Sequence, residues 1–342
     1  MRLRHAVWGI CALAVSACAG GVPPVAMPPP HDPNDYPNPY HMDEGWAKLD
    51  RKFGDISAVD MDRDGKSVWV FERCGSNDDA CAKNKILNPV LKFDASGKLV
   101  KSWGAGEFLY PHGIFIGRDN HVWLVEGISP SGVAANVVRE FTQDGQLLRT
   151  MGTRGVSGAT NELFNGLSDV LVAPDGSIFV ADGHNDKTGR SDKTNNRILK
   201  YDRNGKFLLS WGKLGSGPGE FSTPHGLAMD RQGRLYVADR SNNRIQIFDQ
   251  QGKFLAEWRQ FGRPSGIFIK GDMLYVSDSH SNPTTNPGFK NGIRWGKISD
   301  GKVLGFIPWG EYNTIESVTV DDADNIYAGF TNTPNFRRWV KN

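Results

Sequence analysis

Cysteine is scarce in this chain and neither sign of charge prevails. Its 342 residues hold four cysteines, and 40 basic against 38 acidic side chains leave a formal net charge of +2. Near-neutrality removes the electrostatic case for a nucleic-acid partner, which would need a concentrated basic face. A Gly-rich phosphate loop, a nucleophile elbow and a cysteine–histidine pair are all missing. The early apolar stretch, Ala6 to Ala14, is too short to span a bilayer as a mature helix. Glycine, by contrast, is abundant at 40 residues, and aromatics make up 11%. That combination points to short strands joined by tight turns.

The first residues read as an export signal. Arg2 and Arg4 precede the apolar stretch, and Val15-Ser16-Ala17-Cys18 has the small residues of a lipobox before a cysteine. The expectation is a leader over 1–17 and lipid on Cys18; the alternative is an ordinary leader cut near Ala17 or Ala19. Ala19 in place of aspartate would direct the protein to the outer membrane of a Gram-negative host. The protein is thus expected in the periplasm or cell envelope, touching the membrane through its lipid alone. Pro23, Pro24, Pro28, Pro29, Pro30, Pro33, Pro37 and Pro39 make residues 18–44 a stiff, extended tether. With Cys11 in the leader and Cys18 lipidated, Cys74 and Cys81 remain as an even pair in an oxidising compartment, and a disulfide is expected. A metal reading of that pair would need further thiols or histidines. Closing so short a loop stabilises by about 2–3 kcal/mol.

Self-similarity decides the architecture. The clearest unit, Pro224 to Trp258, reads as four strands: an apolar strand, a turn at Gly233, LYVAD, RIQIFD and, after Gln251-Gly252, KFLAEW. Units of the same form occupy 56–103, 111–151, 167–211 and 264–309, and a sixth, beginning IESVTV, stops after its third strand. GWAKLDRKFGD lies just before the first unit. Five whole units and one split unit predict an all-β, six-bladed propeller over 45–342, with residues 45–49 pairing with the C-terminal strand to close the ring. Closure leaves no long free sheet edge.

The DG turn, the Ala-Asp or Ser-Asp pair ending the second strand and the NRI opening the third resemble the NHL repeat, over roughly residues 46–341. YPHGI (110–114), TPHGLAMD (223–230), VADRSNNRIQIF (237–248) and VFER (70–73) are similar, within that family, to the catalytic core of peptidyl-α-hydroxyglycine α-amidating lyase. The resemblance implies a zinc ion held by histidines of alternate blades, and cleavage of a peptidyl-α-hydroxyglycine C–N bond to a peptide amide and glyoxylate. It further implies an ionised tyrosine as base, arginines that hold charge, and a structural calcium in the channel. His112 and His225 match two of the three zinc histidines, and Arg73 and Arg240 match the site arginines. Three positions depart from the pattern. Glu316 stands for the third histidine, Ser317 for an aspartate that helps hold the calcium, and His184 for the tyrosine.

The residues support a site without the resemblance. Position for position along the inner strands, the repeats carry Ser57, His112, Ser168, His225, Ser265 and Glu316, so His, His and Glu fall on alternate blades. Three such groups around a channel suit a divalent metal with an open position, zinc foremost. The bland alternative is that each PHG histidine packs under a turn. Arg73 and Arg240 follow second strands and could clamp a substrate carboxylate bidentately; the bland alternative is a salt bridge to Glu72 or Asp239. Arg197 and Arg244 open third strands and read as structural, as do Asp182, Asp239 and Asp278. His184 reads as a base, an additional ligand or a solvated loop residue. Long polar loops follow it and Asp278, on the face where specificity is usually set.

The leading expectation is therefore a monomeric, metal-dependent lyase acting on a small molecule or peptide with a carboxylate. Its alternatives are a non-catalytic NHL lipoprotein binding an envelope protein, peptide or glycan, and a propeller lactonase or other hydrolase. The fold cannot choose among them.

Overall fold

The computed structural model describes residues 32–75, 80–129, 131–184, 194–310, 314–332 and 335–342. The expected leader, Cys18 and the expected tether up to residue 31 lie outside the described residues, as does most of the loop after His184. The chain forms six four-stranded antiparallel sheets. Their inner strands are Ile56–Met61, Pro111–Ile116, Leu167–Val172, Pro224–Met229, Pro264–Lys270 and Thr314–Val320. Each inner strand neighbours the next, and the sixth returns to the first. The all-β six-bladed propeller is thus the fold. Among the described residues the one α-helix, Ala80–Lys83, is a single turn, and no helix is long and apolar enough to cross a membrane.

Second strands are buried on both faces, and aromatic and β-branched side chains fill the space between blades. Phe71, Phe108, Ile114, Leu124 and Phe141 form one such layer, and Phe179, Phe221, Leu235, Val237 and Phe248 another. Among fourth strands, Val303–Pro308 is mostly buried, while strands such as Leu99–Trp103 and Phe207–Trp211 alternate between half-buried and exposed. That is the pattern of an outer strand with one face in water.

Ion pairs lock the links between blades. Asp239 accepts the backbone N–H of Ser222 at 2.7 Å and Arg244 Nε at 2.7 Å. Asp182 does the same with Asn165 and Arg197, at 2.7 and 3.0 Å. Asp278 pairs with Arg294 at 3.1 Å, and Glu126 with Arg139 at 2.6 Å. An acid at the end of a second strand thus holds both the incoming link and the third strand of its own blade. This is the structural role the repeats implied for Arg197, Arg244 and the three aspartates. Cys74 and Cys81 form the expected disulfide.

Closure differs in detail from the expectation. Tyr40–Asp43, not residues 45–49, pairs with Asn335–Lys341, with Tyr40 opposite Lys341 and Asp43 opposite Arg338. Residues 45–49 form the link into the first blade instead. Gly45 turns with φ 76°, and Trp46 is buried against Tyr327 and Phe336. Trp46 resembles the fourth-strand tryptophans Trp211 and Trp258, and that likeness misplaced the strand. Prolines hid the true one, because an edge strand can begin directly after Pro39. The compact unit also begins at Asp32, inside the expected tether. Asn34 Oδ1 accepts from Lys290 N–H at 2.7 Å and Arg294 Nη2 at 3.0 Å, and its Nδ2 donates to Gly288 O at 2.9 Å.

A chain beginning at Gly45 should therefore melt lower than one beginning at Asp32. Losing Tyr40 from its seat against Trp295 alone costs about 1.5–3 kcal/mol, a fall of roughly 2–5 °C for a domain of this size. Equal melting temperatures by calorimetry would contradict the strand assignment.

Candidate metal centre in the channel

The PHG segments explain how the histidines reach the channel. A Cβ on Gly113 would lie 2.6 Å from Ser168 O, and one on Gly226 would lie 2.5 Å from Ser265 O. Glycine there lets the inner strand of the next blade approach closely. The preceding histidine then meets the same carbonyl. His112 Nδ1 lies 2.7 Å from Ser168 O, and His225 Nδ1 lies 3.2 Å from Ser265 O. A carbonyl only accepts, so both Nδ1 atoms carry hydrogen. In neutral His112 this leaves Nε2 as the acceptor, which is how ligating histidines are commonly oriented, whereas His225 Nε2 faces a carboxylate oxygen and, without a metal, must donate to it.

His112, His184, His225 and Glu316 converge: one ligand atom from each lies within 4.8 Å of all the others. His112 stands 4.4 Å from His184 and 5.0 Å from His225 between ring centroids, and His184 stands 5.1 Å from His225. His225 Nε2 is 3.0 Å from Glu316 Oε1. The structure thus brings together the three expected ligands and adds His184 as a fourth group. Buried His112 Nε2 has no hydrogen-bond partner among the described residues. A lone pair in such a place is costly unless something is bound there. The donor set fits a divalent metal held by two imidazole nitrogens and a carboxylate.

Electrostatics favour ligation. Burial pushes the His112 imidazole well below its ordinary pKa; His184, His225 and Arg73 add to the effect, and Glu316 opposes it. His112 is therefore neutral. Burial alone would raise the Glu316 carboxyl, but Arg240 and then His225 outweigh it and hold it well below the usual carboxylate range. Glu316 is therefore ionised.

The arginines are placed differently from each other. Arg240 is 1% exposed, and its Nη1 donates to Glu316 Oε1 at 3.3 Å and Ser265 Oγ at 3.0 Å. Its Nη2 lies 2.9 Å from His184 Nε2, which must accept because a guanidinium only donates. Arg240 thus serves the ligand cluster and makes no pair with Asp239, which Arg244 occupies. A glutamate in place of a histidine adds a buried charge, and Arg240 neutralises it. Arg73 donates from Nε to Pro111 O at 3.2 Å, and its guanidinium lies 4.4 Å from the Tyr110 ring centre. Glu72 pairs with Arg51, not with Arg73.

A cavity of about 640 Å³ runs along the channel, lined by His112, His225 and Glu316 and, farther along the inner strands, by Asp60 and Asp169; His184, Arg73 and Arg240 are not among its lining residues. Sequence reasoning missed both carboxylates, since the repeats carry no acid in common there. It also missed the partnership of Ser265 with Arg240, though Ser265 lay on the ring position.

The NHL repeat family matches residues 221–248. Human NHL repeat-containing protein 3 is 30% identical over 207 residues, spanning 58% of this chain and 53% of that protein. Peptidyl-alpha-hydroxyglycine alpha-amidating lyase 1 of Drosophila melanogaster is 29% identical over 192 residues, spanning 52% of this chain and 32% of that protein. The chain thus carries a segment that matches the NHL repeat and is similar over part of its length to an amidating lyase. It spans about half or less of the length of these curated relatives. In fold alone, the propeller is also like a gluconolactonase structure from Xanthomonas campestris. That likeness has a TM-score of 0.59 at 16% identity, covering 92% of this chain and 99% of that one.

Asp169 gives the channel a pH signature. Its oxygens accept N–H groups from Val170 at 2.9 Å and Leu227 at 2.8 Å. Desolvation inside the ring nevertheless pushes its carboxyl from 3.8 up to about 8; the two amides oppose the rise and Asp60 adds to it. Through that window the native chain holds a proton that the unfolded chain has lost, so stability falls as pH rises from about 4 to 8. Asp169→Asn has no proton to lose. Its melting temperature should gain on the wild type's between pH 5 and pH 8, and parallel curves would refute the shift.

Proposed function

We propose that this propeller is a metal-dependent lyase that cleaves the C–N bond of an α-hydroxylated, carboxylate-bearing compound. The observation that carries the reading is the unpartnered Nε2 of His112 facing His225, Glu316 and His184. The amidating lyases among the relatives supply the reaction class.

His112, His225 and Glu316 would hold the metal, with zinc best suited to two nitrogens and one oxygen. When bound, it would polarise the substrate hydroxyl and lower that group's pKa. Arg240 keeps Glu316 ionised for this task. Arg73, fixed by Pro111 O and Tyr110, would take the substrate carboxylate. The substrate hydroxyl would displace Arg240 from His184 Nε2, and that nitrogen would take the hydroxyl proton. The O–H electrons form the aldehyde C=O, the C–N electrons stay on nitrogen, and His184 returns the proton there. The products are an amide and an α-keto acid of the glyoxylate type. The ring closed by an outer N-terminal strand suits a monomer. Export with lipid on Cys18 belongs to the same proposal.

The test is metal analysis with turnover of α-hydroxyhippurate to benzamide and glyoxylate. The wild type should carry or take up stoichiometric divalent metal, and His112→Ala/His225→Ala should lose both metal and turnover. Arg73→Ala should keep its metal and raise KM about tenfold or more, as expected for a lost charge-assisted contact. A protein that takes up no metal and turns over nothing overturns the reading. In that case loop-face binding unaffected by the double variant would favour the non-catalytic alternative.

A further inference from the structure

A chain of hydrogen bonds leaves the ligand cluster in the direction of the loop after the fifth blade's second strand. Arg240 Nη1, which holds Glu316, also donates to Ser265 Oγ at 3.0 Å. Ser265 Oγ lies 2.6 Å from Ser279 Oγ, which lies 2.7 Å from His280 Nδ1. Ser265 and Ser279 are buried, and His280 is half-buried at the start of the loop.

The chemistry gives the chain a direction. A guanidinium offers only donors, so Ser265 Oγ accepts from Arg240 and gives its single proton onward. Ser279 accepts that proton and passes its own to His280 Nδ1. This direction places every proton within the chain, whereas the reverse would turn the Ser265 proton out of it. His280 Nδ1 is the acceptor that ends the chain. The loop behind it is braced as well: Asn282 Nδ2 donates to His280 O at 3.1 Å, Thr285 Oγ1 also donates there, and Asn34 holds Gly288.

We propose that His280 is a positioning residue for the metal centre, acting through Ser279 and Ser265 to fix Arg240 between Glu316 and His184. The inference rests on the metal-site reading above and deepens it. With the acceptor at His280 gone, the serine hydroxyls are free to turn back. Arg240 then leans wholly on Glu316 Oε1 and competes with the metal for that oxygen.

Zinc affinity of the full-length, metal-stripped protein, measured by competition with a chromogenic chelator, tests this. Histidine Nδ1 is mimicked by the asparagine side-chain oxygen and missed by glutamine. His280→Ala, His280→Gln and Ser279→Ala should fold with wild-type melting temperatures and bind zinc about tenfold more weakly, as supporting residues behind metal ligands do. His280→Asn should restore most of the affinity. Where α-hydroxyhippurate is turned over, kcat should fall with KM little changed, because Arg73 is untouched. A wild type that binds zinc and a His280→Ala that binds it equally well overturns this inference alone. So does a His280→Asn no better than His280→Ala. A wild type that binds no zinc overturns the metal reading, and this inference with it.

Discussion

Six inner strands share one axis, and the space they leave depends on how closely their backbones approach. Gly113, Gly226 and Gly266 set that distance, since a Cβ on any of them would come within 2.7 Å of the next blade's inner strand. The same approach supplies the carbonyls of Ser168 and Ser265 that orient His112 and His225. Ring closure and ligand orientation are thus one constraint. A substitution that widened the ring at these glycines would loosen the blades and let the imidazoles turn.

Glu316 sets the electrostatics that follow. A carboxylate this deep in protein is costly unless paired. Its neighbours answer in order: Arg240 by charge, then His225 by contact. Arg240 then needs acceptors for its remaining hydrogens and finds Ser265 and His184 Nε2. Arg240 thereby neutralises a buried charge that a histidine in place of Glu316 would not carry.

Most of the fold was legible because the repeats state it five times over. The DG turns, the acid ending each second strand and the apolar alternation all recur at fixed spacing, and each marks a separate physical need. Closure was legible in kind and misplaced in position. One buried tryptophan, Trp46, looked like the end of a fourth strand, and proline-rich sequence masked Tyr40–Asp43. At the site, the ring position picked out His112, His225 and Glu316, since equivalent positions on inner strands must converge. His184 was visible as a departure from the lyase pattern, but not its approach to within 4.4 Å of His112. Partners such as Ser265 and Ser279 could not be read, because serine is common and its role lies in where its one proton goes.

The loops that the repeat leaves unconstrained are therefore where this propeller departs from a plain ring. The loop from Ser279 to Asn291 is tied at one end to the channel, through Ser279 and Ser265. At the other end it is tied to the chain's own N-terminal strap, through Asn34 with Gly288 and Lys290. Asn34 also takes Arg294, whose other hydrogens hold Asp278 in the blade. Ordering the strap, closing the sixth blade and bracing the loop from Ser279 to Asn291 thus use one short segment, Asp32 to Asp43. The segment that completes the outermost strand of the ring therefore also holds the loop whose first residue, Ser279, bonds to the inner-strand Ser265.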